Sequence, residues 1–230
     1  MTAFRSFSSR LKSAGIAGVA AVVLLTACGD HGAAESSASR GSAAGPGAKA
    51  NSATQYFFAA GKMRDSDAKL FAAAGTGDVG QVEQAIAAGG NVNATDTLSR
   101  TPLFAAAFCN HPQIATLLVE KGGEVDAKDW NGITPLHATI IAGGEETAKA
   151  LIAKGANINS LNASSRTPLH LAAATDQAAL VELLLAHGAN PQLRDKDGLT
   201  AAALAAANGH PKVAAAIKKW HERPKFSMRN

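Results

Sequence analysis

A single spacing governs most of this chain. Thr101-Pro102-Leu103 recurs as Thr134-Pro135-Leu136 and as Thr167-Pro168-Leu169, each copy 33 residues after the last. One further step reaches Thr200, and one step back from Leu103 reaches Leu70. Two other series keep the same step: Gly89, Gly122, Gly155 and Gly188, and then Gly77, Asn110, Gly143, Asp176 and Gly209. Three landmarks sharing one period identify a repeated supersecondary unit, too small to bury its apolar face alone and therefore stacked on its neighbours.

The unit can be read physically. Threonine caps a helix by accepting a backbone N–H, and proline follows at the first helical position, where no donor is missed. Leucine and small alanines then make a tight first helix, as in Leu169-His170-Leu171-Ala172-Ala173. The Gly77 series stops it, since Gly, Asn and Asp tolerate the left-handed backbone that a tight helix-ending turn needs. A second helix carries Ile114, Leu117 and Leu118, or Leu180, Leu183 and Leu184, at helical spacing. The Gly89 series ends that helix, and Asn-Val-Asn or Asn-Ile-Asn leads into a turn. A composition 47% hydrophobic but 5% aromatic suits such closely packed helices better than a wide β-sandwich.

The period, Thr134–His137, Thr167–His170 and Gly155-Ala156-Asn157-Ile158-Asn159 together resemble the ankyrin repeat. The resemblance implies an all-α solenoid of helix-turn-helix units with β-hairpin loops, about five repeats over residues 62–220 (63–95, 96–128, 129–161, 162–194 and 195–220). Terminal repeats depart from the pattern: Ala68-Lys69-Leu70-Phe71 opens the first, and Thr200-Ala201-Ala202-Ala203 the fifth. Lys218, where earlier repeats have Ile86, Val119, Ile152 and Leu185, puts a polar residue on the outer end. Ser99 and Ser165 replace a turn glycine, which predicts distorted hairpin tips in repeats two and four.

The start of the chain has a separate logic. Arg5, Arg10 and Lys12 precede an apolar run from Ala14 to Ala27, the layout of a secretory signal and too short for an ordinary spanning helix. Leu25-Thr26-Ala27-Cys28 resembles the lipobox of bacterial lipoprotein precursors, which implies removal of residues 1–27 and lipidation of Cys28. Residues 28–61, rich in Ala, Ser and Gly, then read as a flexible tether, and 221–230 as a basic tail. Tyr56-Phe57-Phe58 marks the approach to the folded part, either covering its first repeat or forming a small contact patch. Spending Cys28 on lipid leaves no cysteine to bridge Cys109, so no internal disulfide is expected. Gly29 after the anchor favours the outer over the inner membrane, although Asp30 blurs that preference. Without the three leader cations the chain has 19 basic against 18 acidic residues, so charge lends no support to nucleic-acid binding.

Apparent chemical motifs dissolve into the repeat. Gly75-Thr76-Gly77-Asp78-Val79-Gly80 has the spacing of a dinucleotide loop, but an alanine-rich helix precedes it where a strand is required. His137 and His170 fill the signature slot, which in the family braces neighbouring loops; His111 and His210 share another slot. No zinc-protease, nucleophile-elbow or Walker pattern appears, so no catalytic residue, metal or cofactor is expected.

The resemblance implies binding of another protein through the concave face of hairpin tips and first helices. Mapped onto this sequence, that face comprises Leu98, Arg100 and Phe108, then Trp130, Asn131, Ile133 and Ile141, then Leu161, Arg166, Arg194, Lys196 and Leu199. Trp130 and Arg100 are the leading candidates, because Trp and Arg dominate interface energetics. The expected protein is a monomeric, non-enzymatic binding module of the bacterial envelope. An immunity protein against a periplasm-delivered toxin, or an accessory factor for a periplasmic oxidative-stress enzyme, are the alternative uses.

Overall fold

The computed structural model describes residues 63–221. The leader, the lipidation at Cys28, the tether with its aromatics and the last nine residues lie outside the described residues. Ten helices form five consecutive pairs: α1 (Asp65–Thr76) and α2 (Val79–Ala87); α3 (Pro102–Phe108) and α4 (Pro112–Glu120); α5 (Pro135–Ala142) and α6 (Glu145–Ala153); α7 (Pro168–Ala174) and α8 (Ala178–Ala186); α9 (Ala201–Ala207) and α10 (Pro211–His221). First helices pack on first helices and second on second, which makes a solenoid.

The local code works as the residues dictate. Thr101, Thr134, Thr167 and Thr200 sit in extended backbone and accept the N–H of Phe104, His137, His170 and Ala203. The left-handed series holds in every repeat, with φ of 87° at Gly77, 59° at Asn110, 79° at Gly143, 59° at Asp176 and 80° at Gly209. Ser99 and Ser165 take φ of 59° and 56°, as Gly132 and Gly198 do at 71° and 74°. The expected distortion of those tips is therefore absent: serine pays the left-handed strain, and the turn keeps its shape.

The loops between pairs are turns rather than strands. Among the described residues the only strand-like pairing is an isolated antiparallel bridge between Arg194 and Thr200. An Asx side chain at each tip takes the donors a ladder would use: Asp129 Oδ1 accepts from the N–H of both Asn131 and Ile133 at 2.8 Å. Successive tips are zipped by backbone bonds from Trp130 N–H to Leu98 O (3.1 Å), Ala163 N–H to Asn131 O (2.8 Å) and Lys196 N–H to Ser164 O (3.0 Å).

The core consists of columns at the repeat step. Leu70, Leu103, Leu136 and Leu169 form one, and Leu118, Leu151, Leu184 and Ile217 another, all buried. Thr147 interrupts a third column between Ile114 and Leu180; its hydroxyl is satisfied by donation to Asn110 Oδ1 at 2.6 Å. Every residue of α3 and α7 is buried, and their alanines let neighbouring helices approach closely. Lys218 is exposed at the last repeat, and Trp220 folds back against the core.

Two histidines lock tips to helices. His137 Nδ1 accepts from Thr134 N–H at 3.3 Å while Nε2 donates to Arg166 O at 3.1 Å; His170 repeats the arrangement with Thr167 and Leu199. This pattern requires the neutral ring with its proton on Nε2. Burial pushes the His137 pKa down to about 4, and that of His170 downward as well. The unfolded chain therefore binds protons below pH ~6.5 that the folded chain refuses, and stability falls as pH drops from there toward 4. His137 alone accounts for about 3 kcal/mol across that window. Urea midpoints measured between pH 7.5 and 4.5 should drop accordingly, and His137→Asn, less stable at neutral pH, should show a flatter profile.

The remaining histidine slot also binds across repeats. His111 Nε2 lies 3.2 Å from Gly75 O, and His210 Nδ1 lies 3.8 Å from Asp176 Oδ1. Each histidine after a left-handed turn thus reaches back to an earlier repeat, a use its position in the sequence does not disclose.

Candidate partner-binding face

The repeat step sorts the tips into outward and inward columns. Thr95, Lys128, Leu161 and Arg194 form one exposed column, and Thr97, Trp130, Ala163 and Lys196 a second. Between them runs the Asx column of Asp96, Asp129, Asn162 and Asp195, turned inward to hold the tip amides. The residue ahead of each capping threonine also turns inward: Arg100, Ile133 and Arg166 are buried, and Leu199 is half-buried.

This geometry divides the expected binding residues. Trp130 is 70% exposed and Leu161 41%, and Asn131, Arg194 and Lys196 are also exposed. Leu98, Ile141 and Leu199 are half-buried. Four residues do not belong to an accessible face. Phe108 and Ile133 are core residues, because the short α3 is enclosed on all sides and Ile133 sits in the inward slot. Arg100 is 3% exposed and forks onto Asp96 through Nε and Nη2. Arg166 is drawn inward to Asp195 at 3.1 Å, with Nη2 3.6 Å from Asp197. Aliphatic residues at 133 and 199 are the signal that marks this slot as core. Conversely Lys128, Thr95, Thr97 and Ala163, absent from the sequence-based set, share the exposed columns, and the repeat step alone locates them.

The charges beneath the tips are tuned by contact. Burial pushes the Asp129 carboxyl above its ordinary range despite its two N–H donors. Burial also opposes ionisation of Asp195, but the Leu199 N–H and the touching Arg166 guanidinium outweigh it and hold that carboxyl below the usual range. The turn glycines differ as well. A Cβ on Gly132 would lie 3.1 Å from Ala163 N, whereas one on Gly198 meets nothing within 4 Å. Gly198→Ala should cost about 1 kcal/mol, the left-handed strain alone, and Gly132→Ala more, because the next tip must move. Thermal melts of the two variants compare these costs directly.

The description "Ankyrin repeats (3 copies)" matches residues 70–162 and 142–224, well over half of the chain. The chain is an ankyrin-repeat protein. Ankyrin repeats mediate protein–protein interaction, and the family is typically non-enzymatic. No individual curated protein matches this ankyrin-repeat chain. Among the described residues, no group of three His, Cys, Asp or Glu is placed to hold a metal, and no helix is long and apolar enough to cross a membrane. The dinucleotide-like stretch is a junction between helices: Gly77 closes α1, and Asp78 caps α2 by accepting from Gln81 N–H at 3.0 Å.

Cys109, at the C-terminal cap of α3, is half-buried against the core.

Proposed function

We propose that this ankyrin stack is a binding module of the bacterial envelope, tethered by lipid on Cys28, and that it grips a partner protein through its exposed tip columns. The observation that carries the binding reading is Trp130. At 70% exposed, it has its backbone N–H fastened to Leu98 O while its indole stands clear of the core. A side chain of that size held on a fixed support loses little freedom on binding and contributes a large contact area. Leu161, the next most exposed large apolar residue among those described, lies on the adjacent tip, where its carbonyl accepts from Lys128 Nζ at 3.1 Å. Among the described residues, the opposite side, formed by second helices, offers no comparable pair.

Crosslinking in intact envelopes, followed by purification, should yield one dominant adduct with the wild-type chain and lose it with Trp130→Ala. Equal yields from both would move the binding face away from the tips. The anchor has an independent readout. Intact mass under non-reducing conditions should show residues 1–27 removed and a diacylglyceryl adduct on Cys28. An unacylated chain would exclude the lipid tether.

A further inference from the structure

The tip columns carry a charge pattern as well as a shape. In chain order they present Lys128 with Trp130, then Leu161 with Ala163, then Arg194 with Lys196. The sequence of surfaces is cation and aromatic, then apolar, then twice cationic. Carboxylates nearby are already engaged. Asp126 accepts from Asn157 N–H at 2.9 Å, and Asp197 lies 3.6 Å from buried Arg166. The Asx column is turned inward to the tip amides. The three strip cations use their donors on carbonyls or on solvent: Lys128 bonds Leu161 O, Arg194 bonds Gly198 O, and neither they nor Lys196 forms an ion pair among the described residues.

The second-helix side is mixed in charge. Glu83, Glu120, Glu124, Glu146 and Glu182 are exposed there, and so are Lys121, Lys212, Lys218 and Lys219. Lys149 pairs with Glu145 and Glu146, and Lys154 with Glu120. The tip strip differs in setting its three cations around Trp130 and Leu161, the most exposed large apolar side chains among the described residues.

We infer that the partner presents an acidic segment to this strip, with carboxylates at both ends of an apolar centre. The inference rests on the tips being the binding face and adds the chemistry of what they bind. Stacked helix layers lie roughly 10 Å apart, so Lys128 and Arg194, two repeats apart, stand about 20 Å from one another. An extended segment spans that distance in about six residues. The fitting segment therefore has acidic residues about six positions apart, with an aliphatic or aromatic residue between them for Leu161 and Trp130. Complementary charge at such a rim sets the encounter rate and rejects basic competitors, while the apolar centre holds the complex.

The test is selection of a random twelve-residue peptide library on the immobilised full chain, with Trp130→Ala and the double variant Lys128→Glu/Lys196→Glu in parallel. Circular dichroism checks that both variants keep the helical signal. Peptides recovered by the wild type and lost on Trp130→Ala should carry acidic residues about six apart around an apolar one. The double variant should recover that pool about tenfold less and select basic peptides instead. A Trp130-dependent pool without acidic bias overturns the acidic partner but leaves the tips as the binding face. An acidic pool recovered equally by all three proteins, or no Trp130-dependent pool, overturns both.

Discussion

Arg100→Met should destabilise the fold by about 3–5 kcal/mol, one of the largest effects available from a single substitution in this chain. The side chains of Arg100 and Asp96 are 3% and 1% exposed, and they meet through two nitrogens of the guanidinium. Removing the arginine leaves a carboxylate shut away from water, with the amides of Leu98 and Arg100 as its remaining donors. Arg100 also eases the charge on Asp129 in the next tip, so the damage extends beyond one repeat. The rescue is written into repeat four, where Asn162 fills the Asp96 slot and accepts the corresponding amides of Ser164 and Arg166 at 2.9 Å. Asp96→Asn combined with Arg100→Met should therefore recover most of the loss, measured as urea midpoints of both singles and the double. If instead the single variant kept its stability and lost its partner, Arg100 would return to the binding face.

The same arginine shows how much was legible in the sequence. The fold was readable because each repeat solves one physical problem with the same residues. Threonine caps, proline starts, a left-handed residue stops, and leucine fills the same column, so a period in the letters is a period in space. The binding face was only partly readable. Residue type suggested Arg100 and Arg166, since arginine is common at interfaces, but orientation decides, and orientation is a property of the column. Position 100 shares its column with Ile133 and Leu199, which points it inward, whereas position 130 shares its column with Thr97 and Lys196, which points it outward. Reading by column would also have found Lys128. The ion pair from Arg166 to Asp195 crosses between repeats, and the reach of His111 to Gly75 crosses too; neither follows from a pattern within one unit.

Trp130→Ala should weaken partner binding by about thirtyfold or more, the loss expected when an interface aromatic worth about 2 kcal/mol is truncated. It should leave the melting midpoint nearly unchanged, because an indole 70% exposed contributes little to the core. The control stands three residues away. Ile133 is 7% exposed and packs in the core, so Ile133→Ala should cost about 2–5 kcal/mol of stability. Any binding loss with that variant should follow the loss of fold, and disappear when binding is measured at low temperature where the variant stays folded. The two substitutions thus separate contact from support within a single tip. Early melting of Trp130→Ala with affinity intact would make the indole a brace for the hairpins and shift the binding surface toward the half-buried Ile141 on α5. Retained stability with affinity lost would place the recognition surface on the column running from Trp130 to Lys196, with the buried arginines beneath it setting the tip geometry.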